Sequence, residues 1–258
     1  MNQWLTLFNK ELLEMWRNFK WIWLPLVFII LGMTDPLSSY YMPIIIETVG
    51  GLPEGAVLEI PKPQANEVML MVINQFNMLG LLIIVLSAMG TVASERKSGL
   101  AAMILVKPIP IANYITAKWA SLILITAVTL FFGYLSGWYY TSILFGSIDF
   151  TVFLKSYFLL MLWFIFVLTV TLFFSAIVKV GGLAGFITLA TIIVLSITTN
   201  ILSDWMLWSP AQLSDSIGSI IMVGTLAEGF WLTFSSTIII IALLITLSVK
   251  LFSKKELA

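Results

Sequence analysis

From Ser156 to Val178 the chain runs for 23 residues without a charge, and the next uncharged run begins at Val180, immediately after Lys179. A stretch of about 18 apolar residues is long enough to cross a bilayer as a helix, so these two runs constrain the fold more than any motif does. Only Lys179, Val180, Gly181 and Gly182 separate them, which makes the two helices antiparallel neighbours joined by a tight turn. The pattern recurs along the chain. Spans are expected at about 21–33 (its outer end reaching toward Leu37), 67–93, 115–145, 152–178, 183–202 and 228–251. The third is long enough to tilt or to project beyond the bilayer. With 60% hydrophobic and 10% charged residues, against about 25% charged in soluble domains, the chain reads as an all-α integral membrane protein. It has one transmembrane domain over residues 1–258 and no separate soluble domain.

The 258 residues contain neither cysteine nor histidine. That removes thiolate nucleophiles, disulfides, Cys/His zinc sites and the usual general base at neutral pH. No catalytic centre and no metal site is expected. The first twenty residues are amphipathic and do not resemble a secretory signal. Trp4, Phe8, Leu12, Met15, Trp16 and Phe19 recur at steps near 3.6, with Gln3, Lys10, Glu14, Arg17 and Asn18 on other faces. Residues 1–20 therefore read as a helix lying in the membrane interface.

Lysine and arginine set the orientation. With the N-terminus inside, eleven of the 13 cations fall on the inner side and only Lys62 and Lys155 outside. Nine of the 13 acids fall outside. Both termini are expected in the cytoplasm of a multi-pass cell-membrane protein. Residues 35–66, with five of the nine prolines, read as an ordered extracytoplasmic loop. Residues 203–227 read as an extracytoplasmic segment too short and broken to span, either re-entrant or interfacial.

The inner loop 94–114 begins SERKSGLAAMILVKP. Gly99 can start a helix, Leu100, Met103, Ile104 and Lys107 share one face of two turns, and Pro108 and Pro110 stop it. A helix this short is marginal alone in water, so its apolar face needs a cover. Glu95, Arg96, Lys97 and Lys107 are expected to act as rim charges around that cover.

Six spans, an N-terminal interfacial helix, and a loop after span two carrying Glu95, Gly99, the apolar turn Leu100–Val106, Pro108 and then Lys118 resemble ABC-2 type transporter permeases. The resemblance implies that loop 94–114 is a coupling helix seated in a groove of a separate cytoplasmic ATPase. It implies coupling roles for Glu95, Gly99, Leu100, Met103, Ile104, Lys107 and Pro108. It also implies a second permease copy or a related one as partner, with export as the direction. ATP and magnesium would belong to the partner, because no G-x-x-x-x-G-K-[ST] phosphate loop occurs here. The chain departs from the family pattern in reading Ser-Gly-Leu where Gly-Thr often follows the glutamate, and in lacking an arginine after Pro108.

Within the spans, Asn74, Gln75 and Asn77 are candidates either for lining a substrate path or for hydrogen bonding between helices. Gly133 with Gly137, and Gly181 with Gly185, form small-residue pairs that let helices approach, within the chain or between subunits. An intramembrane enzyme is disfavoured by the scarcity of convergent polar groups. A non-transporting anchor or sensor that regulates another factor, for instance in an antimicrobial-peptide response, stands as the alternative to transport. The lipid bilayer is a partner in every reading, and nucleic acid in none.

Overall fold

The computed structural model describes residues 3–49, 62–100 and 109–256, and among them all regular structure is helical. In chain order these are α1 (Gln3–Arg17), α2 (Lys20–Val49), α3 (Ala65–Gln75), a π turn (Phe76–Gly80), α4 (Leu81–Ala88), α5 (Ala93–Lys97), α6 (Ile111–Leu144), α7 (Phe150–Ile177), α8 (Gly181–Ile201), a 3-10 turn (Pro210–Gln212), α9 (Leu213–Val223) and α10 (Phe230–Glu256). Six helical segments are long and apolar enough to cross a membrane, with α3 and α4 forming one of them through the π turn. In a bilayer each backbone N–H and C=O needs a partner inside the protein, which leaves the helix as the form available to these sequences.

α7 is the axis of the bundle, with 72% of its most apolar window buried against 22% for α2, α8 and α10. It packs on α4, α6, α8, α9 and α10. The half of the core nearer the α6–α7 turn is aromatic. Tyr134 stacks on Phe153 with centroids 5.2 Å apart, and its hydroxyl lies 2.7 Å from that of Ser156.

α2 and α6 form the closest pair. A Cβ on Gly133 would fall 2.7 Å from Phe28 Cβ, one on Gly32 would fall 2.2 Å from the Gly133 carbonyl, and one on Gly137 would meet Val72 at 2.8 Å. The second glycine pair works similarly beside the α7–α8 turn. Gly181 lies against Gly90, and a Cβ on Gly185 would meet Met89 Sδ at 2.8 Å. Both small-residue pairs are thus used between helices of one chain.

One segment differs from the sequence expectation. α2 does not end near Leu37 but continues through Pro36 and Pro43 to Val49, so residues 35–49 are helix and not loop. Each proline removes one helical donor, which membrane helices tolerate when neighbours compensate. The 34-residue α6 gives the extension a surface to pack on. Tyr40 meets Phe145 edge-on there. The segment 203–227 folds as turns, the 3-10 turn and α9. α9 buries Leu213, Ser216, Ile217, Ile220 and Ile221 against α7 and α3. It runs antiparallel to α3, with Ser214 sharing a cavity with Asn77 and Gly218 beside Leu70.

Candidate functional site

Four elements converge at the expected inner end. α1 lies along α6, and Trp4 donates its indole N–H to Thr116 Oγ1 (3.1 Å). The facing stripe of α1 is apolar except at Glu11, which is buried with Met15. An acid placed there needs a cation, and α6 supplies it. Lys118 is 1% exposed, and its Nζ lies 2.8 Å from Glu11 Oε1 and 3.0 Å from Glu95 Oε1. Lys10 closes the other side, with Nζ 2.7 Å from Glu95 Oε1, 3.0 Å from Glu11 Oε1 and 3.3 Å from Glu14 Oε2. The Tyr114 hydroxyl donates to Glu95 Oε2. Burial alone would lower the Lys10 pKa, but the Glu95 hydrogen bond and the charge of Glu11 outweigh it and hold Lys10 above the ordinary lysine range.

The tyrosine also spans the site. One turn before Lys118 on α6, its ring lies 5.1 Å from the Lys118 ammonium and stacks on Phe252 of α10 at 5.5 Å. Arg96 follows Glu95 on α5 and donates to the Ala176 and Ile177 carbonyls (2.9 and 3.3 Å). A cation suits that place, because the C-terminal end of α7 carries negative dipole charge. Just before α5, Ser175 Oγ accepts from the Val92 and Ala93 amides (3.1 and 3.0 Å) and donates to the Met89 carbonyl (2.8 Å). The start of the inner loop is thereby held to α1, α6, α7 and α10 at once.

Carboxylate oxygens of Glu11, Glu14 and Glu95 come within 4.8 Å of one another, near enough to share a cation. The two ammonium groups already stand between them, so lysine takes the role that a metal would have there.

Of the expected coupling residues, Glu95, Gly99 and Leu100 are described, whereas Met103, Ile104, Lys107 and Pro108 lie outside the described residues. Glu95 and Arg96 are not rim charges but turn inward into the contacts above. Lys97 remains exposed. Gly99 has φ +77° with nothing near its missing Cβ, so it ends α5 in a left-handed conformation that favours glycine. Leu100, helical and half-exposed, follows it. The roles of Glu11, Lys10 and Tyr114 were not foreseen from the sequence. The signal available was Glu11 itself, an acid set between Trp4, Phe8 and Met15 on the apolar face of α1.

The three amides of span two separate. Asn74 is exposed. Gln75, with its amide nitrogen toward α2, donates to the Leu31 carbonyl and to Asp35 Oδ2, both at 2.8 Å. Asn77 lies in the π turn and opens onto an apolar cavity of about 400 Å³ between α4, α7, α8 and α9. Asn77 Oδ1 and Trp163 Nε1, on residues lining that cavity, are buried without a hydrogen-bond partner among the described residues. A π turn widens a helix by one residue and often marks a functional position.

Two comparisons bear on this architecture. The family model described as ABC-2 family transporter protein matches residues 5–211, from α1 through every span except the last. The chain belongs to the ABC-2 transporter family. It is also similar to a Bacillus subtilis (strain 168) protein titled "Uncharacterized transmembrane protein YxlG", 35% identical over 252 residues and covering 98% of both chains. For an ABC-2 membrane protein of this kind the spans are the permease part, and the chain is a multi-pass membrane protein.

Proposed function

We propose that this chain is the permease subunit of an ABC exporter, driven by a separate cytoplasmic ATPase that docks on loop 94–114. The observation that carries the reading is the anchoring of that loop. Glu95 and Arg96 fasten its first turn to four helices, so a force applied at Leu100 and beyond is delivered to α1, α6, α7 and α10 together. A helix held only by lipid headgroups needs no such buried fastening. Lys97, Leu100 and the following apolar residues are left for the partner, and α1 rests on the inner membrane surface as the lever's base. Both termini lie in the cytoplasm of the cell membrane.

The transport path in this reading passes the Asn77 cavity, where span two is loosened by its π turn. ATP and magnesium are bound by the partner. A second copy of the chain, or a related permease, completes the path. Because the glycine pairs pack inside one chain, that contact would use the outward apolar faces, such as Phe186, Ile193, Val194 and Ile197 on α8, each more than half exposed.

The test is co-purification. Ile104→Asp puts an unpaired carboxylate into the proposed groove, at a cost of several kcal/mol, while leaving the Glu95 cluster intact. With equal membrane levels of both chains, wild type should retain an ATPase and Ile104→Asp should lose it. Retention of the ATPase with its transport-coupled hydrolysis would rule out this loop as the coupling element. An anchor or sensor without transport would show no hydrolysis stimulated by a transported compound in either case.

A further inference from the structure

At the elbow between α1 and α2 the chain turns through Phe19, whose φ of +57° is unusual for a residue other than glycine. A side chain's Cβ disfavours this conformation, so the elbow is held by its surroundings. It walls a cavity of about 450 Å³, whose other side is the inner end of span two. Glu11, Glu14 and Asn18 line it from α1 and the elbow, Lys20 and Trp23 from α2, and Leu86, Ser87, Met89 and Gly90 from α4 and the turn after it.

The charges in this cavity are unevenly satisfied. Lys20 is partly buried and donates to the Ser87 carbonyl (2.8 Å). An ammonium has three donors, and among the described residues no carboxylate lies within salt-bridge distance of Lys20. A desolvated cation with no carboxylate in direct contact is a favourable place for an anion. Two carboxylates share the same cavity, however. Glu14 is half-exposed, and among the described residues its ion pair is with Lys10 at 3.3 Å. A purely anionic ligand on Lys20 would face that negative charge, and a purely cationic one would face Lys20. The lining fits a ligand that carries both signs a few ångströms apart. Met15, Trp23 and Leu86 add an apolar side, and Trp23 and Leu86 continue it onto the outward surface of the spans.

We propose that this elbow cavity binds the headgroup of a membrane lipid bearing a primary amine on its phosphate, with the phosphate on Lys20 and the ammonium at Glu14. The glycerol and upper acyl chains lie along Trp23 and Leu86. The site rests on α1 lying along the inner membrane surface, where headgroups of the inner leaflet reach it. A choline headgroup fits less well, because its quaternary ammonium has no N–H to donate to Glu14. A glycerol headgroup brings no ammonium to Glu14, which then has Lys10 alone. Lipid bound here would brace the elbow and so set the position of α1 above the Glu95 cluster.

The experiment is native mass spectrometry of the full chain equilibrated with equal amounts of phosphatidylethanolamine, phosphatidylcholine and phosphatidylglycerol. The expected result is one tightly held phosphatidylethanolamine per chain, preferred about tenfold over either competitor, the size of one charge-assisted hydrogen bond. Lys20→Met should lower its retention about tenfold. Glu14→Gln should abolish the preference over phosphatidylglycerol while leaving phosphate binding in place. Should Lys20→Met fail to fold, Glu14→Gln at the half-exposed rim carries the test. Equal retention of the three lipids, or an unchanged preference in Glu14→Gln, would overturn the proposal. So would Ca²⁺ binding to the delipidated chain that needs Glu14 while no lipid is preferred. None of these readouts depends on the ATPase, so the lipid site and the coupling reading fail or stand separately.

Discussion

Lys118 is the residue on which the inner cluster depends. It is the only cation of the cluster that is buried throughout, and it faces two buried acids, Glu11 and Glu95. Breaking a buried pair by removing one partner costs about 3–5 kcal/mol, because the other charge is left behind. Lys118→Met should therefore lower the melting temperature of the purified chain strongly. Tyr114→Phe removes one donor to Glu95 and should cost about 1–3 kcal/mol. Lys10→Met should fall between these, since Lys10 is partly exposed and Lys118 still serves both acids. The pH dependence has a definite sign. The folded pKa of Lys10 is raised above its ordinary 10.5, so its contribution is fully present below 10.5 and is lost only as pH rises through the higher folded value. The melting difference between wild type and Lys10→Met should be flat from neutral pH to about 9. A difference that shrinks between pH 6 and 9 would mean that Lys10 is not held by this cluster.

At the scale of elements, helix contacts are decided by where side chains are missing. Gly133→Ala would put a methyl within 2.7–2.9 Å of Phe28, two of its three nearest atoms being backbone, which cannot rotate away. Overpacking of this kind costs about 1–3 kcal/mol, and it should separate α2 from α6. Gly182→Ala has no atom within 4 Å and should melt like wild type, which makes it the control. Equal stability of the two variants would contradict the close packing of α2 on α6. The elements also show what the sequence made legible. The six spans followed from uncharged runs, because bilayer thickness fixes the length of an apolar helix. The extension of α2 to Val49 was not legible, since its prolines argue against helix locally and only the neighbouring α6 makes the extension worthwhile. The π turn at Phe76–Gly80 leaves no mark in hydropathy, as one extra residue per turn does not change the apolar content. Glu95 was singled out, but its direction was misread. Its partners come from positions 10, 114 and 118, and no local pattern announces a contact between residues so far apart.

For the whole molecule, the proposed function rests on loop 94–114, whose expected apolar face needs a cover. α5 is fixed from inside by Glu95 and Arg96, Gly99 turns the chain, and Leu100 emerges half-exposed. The family to which the chain belongs makes an ATPase the natural occupant of that face. Because the chain has no cysteine, a single one at Met103 reports on this face without further engineering. The most direct measurement is thiol cross-linking of Met103→Cys in native membranes, followed by identification of whatever is joined to it. The account predicts one cytoplasmic ATP-hydrolysing protein in the product, and loss of transport-coupled hydrolysis once the link is made. A Met103→Cys chain that reacts only with a membrane-partitioning thiol reagent and is never joined to an ATPase would contradict it.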